Sequence, residues 1–101
     1  IESEGNIVNL IEKPKPDEVC SNFAISGRYI LSSKIFEKLE KLEVSERGEI
    51  ELTDALNQLL EDGEKIKHKV ILGKRLDVGT PEEYLRANIE YAKSKGVYNE
   101  K

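Results

Sequence analysis

Gly73-Lys74-Arg75-Leu76-Asp77-Val78-Gly79-Thr80-Pro81-Glu82-Glu83 sets an acidic side chain in a glycine-bounded turn directly before a marked helix start. The Thr80 hydroxyl can accept a backbone N–H of the first helical turn, and Glu83, three residues on, can reach back to the Thr80 N–H. Pro81 suits the first helical position, where its fixed φ is already helical and its missing N–H has no partner to lose. Gly79 is expected to permit the abrupt passage from extended chain to helix. Open α/β sheets bind ligands at such strand ends, which makes Asp77 a candidate ligand-binding residue.

Working outward, residues 64–72 alternate Lys65, Lys67 and Lys69 against Ile66, His68, Val70 and Leu72, the pattern of a strand with one solvated face. Downstream, the helix opened by Pro81 is expected to run to about Lys95, to bury Tyr84, Leu85, Ile89 and Ala92, and to stop at Gly96. Upstream, residues 53–61 carry Ala55, Leu56, Leu59 and Leu60 on one side of a helix ended by Asp62-Gly63. Before it, Ser32 or Ser33 can cap a helix whose Ile35, Phe36, Leu39 and Leu42 oppose Lys34, Glu37, Lys38 and Lys41. Residues 22–31 alternate as a strand, with Gly27 leaving room for a close approach, and residues 7–13 form a β-branched strand stopped by Pro14 and Pro16. The order is β, β, α, α, β, a short turn strand at 75–78, then α: an α/β fold with mixed strand directions.

At 101 residues the chain is expected to form a single domain over 1–101, since burial at this size is moderate and leaves no room for a second core. Charged residues make up 36% and hydrophobic ones 38%, too apolar and too regularly patterned for a disordered tail. The net charge of −4 is spread through interleaved acids and bases, so no continuous basic surface is offered and nucleic acid is not an expected partner. Cys20 is the single cysteine; it reads as an inert thiol in a reducing compartment, the cytoplasm. No apolar run approaches the roughly 18 residues of a membrane helix, and no basic-then-apolar leader opens the chain. The chain begins at Ile1 and holds no Met, which leads to the expectation that it is a piece of something longer.

Glu12-Lys13 sets a carboxylate beside an ammonium at a strand end, where the acid can take sugar hydroxyls and the base a phosphate. Glu-Lys-Pro is equally a common surface tripeptide, and the two side chains point to opposite faces unless the strand bends at Pro14. Asp77 reads either as a ligand to Mg²⁺, which is commonly held by one or two carboxylates with phosphate and water, or as an Asp bonded to its own turn. His68 lies on an apolar strand phase and reads as packed, without a nucleophile partner. Glu49, Glu51 and Asp54 precede a helix and read as complements to its dipole. Tyr29, Tyr84 and Tyr91 fit core or boundary positions.

Four blocks in order carry a wider pattern: Ile11-Glu12-Lys13-Pro14, Ser21 through Leu31, Gly48-Glu49-Ile50-Glu51-Leu52-Thr53-Asp54-Ala55-Leu56, and Gly73 through Thr80. Together they resemble the carboxyl-terminal part of the sugar-nucleotide pyrophosphorylases, most closely the UTP-glucose-1-phosphate uridylyltransferases; the thymidylyltransferases share versions of these blocks. The resemblance implies the C-terminal portion of a Rossmann-like nucleotidyltransferase, a mixed sheet with flanking helices, joining UTP and glucose 1-phosphate with Mg²⁺ to give UDP-glucose and pyrophosphate. It implies that Glu12 bonds sugar hydroxyls, that Lys13 meets the sugar-linked phosphate and that Asp77 is a metal ligand, with no protein nucleophile. The family's glycine-rich nucleotide-binding loop and second metal-binding Asp do not occur in these residues, so the chain alone is expected to be inactive and to self-associate as a homo-oligomer. The alternatives are a stand-alone sugar-phosphate-binding or assembly module without catalysis, or part of a thymidylyltransferase.

Overall fold

The computed structural model describes residues 2, 3 and 5–97, and the chain divides into two compact units, Ile1–Val70 and Ile71–Lys101. In the first unit β1 (Glu2–Ser3) and β2 (Asn6–Ile7) pair antiparallel, with Glu2 opposite Ile7 and Ser3 opposite Asn6. Gly5, at φ 77°, turns the chain between them in a region that L side chains avoid. The Ile7 N–H donates to the Ile66 carbonyl at 2.9 Å and Asn6 bridges Lys67 antiparallel, so the alternating segment around Ile66 lies alongside β2. A single 3₁₀ turn, Pro16–Glu18, follows the prolines, with the Glu18 carboxylate accepting the Lys15 N–H at 2.8 Å.

The core of this unit is two packed helices, α1 (Lys34–Glu40) and α2 (Leu52–Glu61). Ile35, Ala55, Leu56 and Leu59 are buried, and Leu10, Leu39, Leu42, Leu52 and Ile66 close around them half-buried. The apolar spacing anticipated this seam except at Phe36, which points to solvent at 65% exposure because the α1 stripe facing α2 is narrower than the full apolar run. The Asp62-Gly63 stop is a Schellman motif: Gly63 has φ 87°, its N–H donates to Leu60 O at 3.0 Å, and the Glu64 N–H reaches Leu59 O at 3.0 Å.

Among the described residues the ladder is confined to β1, β2 and the Lys67 bridge; the mixed sheet is not formed by them. A strand exists only by pairing, and residues 22–31 form no ladder here. Gly27, at φ 74°, also takes the chain out of the extended region in the middle of that run. Residues 75–78 likewise form no strand.

In the second unit the described element is α3 (Pro81–Ser94). Both halves of the expected capping box are present: the Glu83 N–H donates to Thr80 Oγ1 and the Thr80 N–H to Glu83 Oε2, each at 3.1 Å. Gly96, at φ 68°, closes the helix with bonds from Gly96 N to Lys93 O and from Val97 N to Ala92 O, at 3.1 and 3.0 Å. The expected burial of Tyr84, Leu85 and Ile89 is corrected: all three are exposed and Ala87 is the buried residue of the helix. An apolar stripe is buried only against another layer, and no second helix or strand is described in this unit. Among the described residues no helix is long and apolar enough to cross a membrane.

Candidate functional site

The chain leaving β2 is held against α2 at two points. Asn57 clamps the backbone of Leu10 from both sides: the Leu10 N–H donates to Asn57 Oδ1 at 2.9 Å and Asn57 Nδ2 donates to Leu10 O at 2.6 Å. Two residues on, Thr53 Oγ1 donates to Glu12 Oε2 at 3.0 Å. Thr53 is the buried polar residue of α2, 3% exposed, and Glu12 is half-buried. The chain then bends at Lys13, whose φ of 44° lies in the left-handed region. The bend anticipated at Pro14 therefore falls one residue earlier. As a result adjacent side chains that a straight strand would send to opposite faces line one cleft of about 220 Å³, with Tyr29, Arg47, Glu49, Glu51 and Thr53 around them. The Tyr29 phenol is pushed above its ordinary range by burial and then by the nearby Glu12 charge.

Arg47 is the cleft residue that sequence reasoning missed, and it changes the reading of the acids around it. Glu51 occupies the position before α2 in extended conformation and makes no side-chain cap. Its carboxylate instead bonds Arg47 Nη1, and Glu49 stands 3.8 Å from Arg47 Nη2. Asp54 alone keeps the expected place in the first turn. The loop is tightened by Ser45 N–H to Glu49 O at 2.8 Å and Gly48 N–H to Ser45 O at 2.9 Å, with Gly48 at φ 80°. The available signal was the i, i+4 spacing of Arg47 and Glu51 across a glycine. His68 packs on Phe23 with ring centroids 5.8 Å apart, as its apolar phase suggested.

Asp77 belongs to the second unit and is exposed, with Arg75 Nη2 at 2.7 Å from its Oδ2. An ion pair this exposed is worth about 0–1 kcal/mol and does not bar another cation. Gly79 does not have a positive φ; a Cβ there would stand 3.4 Å from Glu83 Oε2, ordinary contact, so the helix entry rests on the Thr80 cap rather than on glycine freedom. Lys74 Nζ bonds Glu90 Oε2 at 2.7 Å and, by that bond and its charge, holds the Glu90 carboxyl below its ordinary range. Among the described residues no group of three or more His, Cys, Asp and Glu is placed to hold a metal. A lone carboxylate such as Asp77 fits Mg²⁺ as one oxygen donor, the remainder coming from phosphate and water.

The family model for nucleotidyl transferases matches residues 1–94. The chain belongs to the nucleotidyl transferase family. It is 47% identical over 88 residues to the low-salt glycan biosynthesis nucleotidyltransferase Agl11 of Haloferax volcanii, covering 87% of this chain and 24% of that protein. It is 47% identical over 85 residues to the bifunctional protein GlmU of Methanococcus maripaludis, covering 84% and 20%. It is also 47% identical over 78 residues to the UTP-glucose-1-phosphate uridylyltransferase of Pseudomonas aeruginosa, covering 77% and 28%. This nucleotidyl transferase chain thus spans between 20% and 28% of the length of these three relatives. The family implied by the four sequence blocks is the one matched, and within it the identity to three differently named relatives is the same, 47%.

Proposed function

We propose that residues 1–101 are the sugar-phosphate-binding, C-terminal part of a Rossmann-like, mixed-sheet nucleotidyl transferase that joins UTP and glucose 1-phosphate into UDP-glucose and pyrophosphate. Glu12 accepts hydrogen bonds from sugar hydroxyls, Lys13 meets the sugar-linked phosphate and Asp77 gives one oxygen to Mg²⁺. The attacking atom is a phosphate oxygen of the substrate, so the protein aligns the reactants and neutralises charge rather than supplying a nucleophile. Mg²⁺, when bound, supplies further neutralisation of the phosphate oxygens.

The observation that carries this reading is the left-handed bend at Lys13, which sets an acid and a base side by side on one polar cleft. A carboxylate for hydroxyls next to an ammonium for phosphate is the donor and acceptor pairing that a sugar phosphate requires. Titrating the chain with glucose 1-phosphate and with inorganic phosphate tests it. Lys13→Ala is expected to weaken both ligands and Glu12→Gln the sugar phosphate alone; equal effects of both variants on both ligands refute the assignment. The uridylyl preference rests on Gly27-Arg28-Tyr29-Ile30-Leu31, and the second reading is a thymidylyl transferase, a family that shares versions of the four sequence blocks. Comparing UTP with dTTP in the whole enzyme decides between them.

The cytoplasm is the proposed compartment, supported by the single exposed thiol of Cys20, and interleaved charges support the absence of a nucleic-acid partner. The chain self-associates, a proposal supported by the exposed Tyr84, Leu85 and Ile89 of α3. Light scattering that reads only monomer at high concentration contradicts it.

A further inference from the structure

α2 meets the chain that carries Glu12 through two polar side chains one helical turn apart. Asn57 holds both backbone groups of Leu10, and Thr53 donates its hydroxyl to Glu12. One turn of helix rises about 5.4 Å, close to the about 6.6 Å that two residues of extended chain cover. The two grips therefore match in spacing, with the helix and the chain running in opposite directions. Such a match fixes register: sliding the chain by one residue would break the amide clamp and leave a buried hydroxyl without its acceptor.

We propose that Thr53 is a positioning residue for Glu12, holding one carboxylate oxygen so that the side chain is set in the cleft before any ligand arrives, while Asn57 keeps the chain bearing it in register. The proposal rests on the reading of Glu12 as the ligand of sugar hydroxyls. Three features distinguish Thr53 from a merely satisfied core hydroxyl. It is almost fully buried, it bonds a carboxylate 41 residues away rather than its own helix, and its acceptor lies on the cleft wall. Thr53 also stands in the first turn of α2, where the positive end of the helix favours the carboxylate it holds. A carboxylate already ordered loses less rotamer freedom on binding.

NMR of the 101-residue chain tests this in two arms. Without ligand, three-bond couplings of the Glu12 side chain are expected to report one dominant rotamer in the wild type and in Thr53→Ser, and averaging in Thr53→Val. Equal order, or equal averaging, in wild type and Thr53→Val overturns the proposal. Thr53→Ala gives the same readout should the valine variant not fold. In the second arm, Thr53→Val is expected to weaken glucose 1-phosphate about tenfold, the scale of a lost hydrogen bond to a charged group, and to leave inorganic phosphate unchanged. Parallel loss of both ligands assigns Thr53 to packing and also overturns it. A wild-type chain that binds glucose 1-phosphate no better than inorganic phosphate sinks the sugar reading of Glu12, and the ligand-free arm then still decides whether Thr53 positions it.

Discussion

Lys13 occupies backbone space that favours glycine, at φ 44°, and its alkyl-ammonium side chain lacks the short local hydrogen-bonding group that lets Asn or Asp adopt it. A lysine held there fits a residue kept for its charge at the cleft rather than for its turn. Lys13→Gly is expected to raise stability by about 1 kcal/mol through relief of the left-handed strain while losing phosphate affinity. Urea unfolding beside a phosphate titration checks both, and a destabilised variant shows that the strain is absent. Glu12 and Lys13 were legible in the sequence as an acid beside a base, although the strand expected over 7–13 is not formed and the pair begins five residues beyond the end of β2. That they share a cleft was not, because a lysine carries no signal of a positive φ. Arg47 was missed for a related reason: the acids around it were read as helix caps, and only the folded loop turns two of them toward its guanidinium.

The C-terminal end of α2 and both ends of α3 follow from residues within one turn of each boundary, and they were read correctly at Gly63, Thr80, Pro81, Glu83 and Gly96. Thr80→Ala removes the acceptor for the Glu83 N–H and is expected to cost about 1 kcal/mol of stability, seen as a lower urea midpoint; an unchanged midpoint makes the cap ornamental. The same helix carries a pH dependence. Lys74 depresses the Glu90 carboxyl, so the pair contributes above the ordinary Glu value and its contribution is lost as pH falls through the depressed folded value. Melting curves of wild type and Glu90→Gln should differ at neutral pH and converge in acid. A gap that widens on acidification reverses the sign and refutes the assignment. The strands were legible less well than the helices: residues 22–31 alternate as a strand should, yet a helix closes its hydrogen bonds within itself and a strand cannot.

The whole chain belongs to the nucleotidyl transferase family yet spans 20% to 28% of three relatives. With UTP, glucose 1-phosphate and Mg²⁺ it is expected to release no pyrophosphate, because the nucleotide-binding loop that the proposed reaction requires does not occur in these residues. Measurable turnover would overturn that expectation and the assignment of roles with it. By itself the sequence determined the family, the helices, the capping box and stop of α3 and the glycine stop of α2, since each of these is written in local spacing or in motif order, whereas the side-chain caps expected for α1 and at the start of α2 did not form. Tertiary structure alone decided which apolar stripe was covered, leaving that of α3 exposed while that of α2 closed on α1. It also decided that Thr53, Asn57 and Arg47 belong to the story of Glu12 and Lys13, for a reason of range. A hydrogen bond acting within one turn is specified by its neighbours in sequence, whereas the Thr53–Glu12 bond spans 41 residues and comes into being only when the packing of the core sets α2 beside the chain leaving β2.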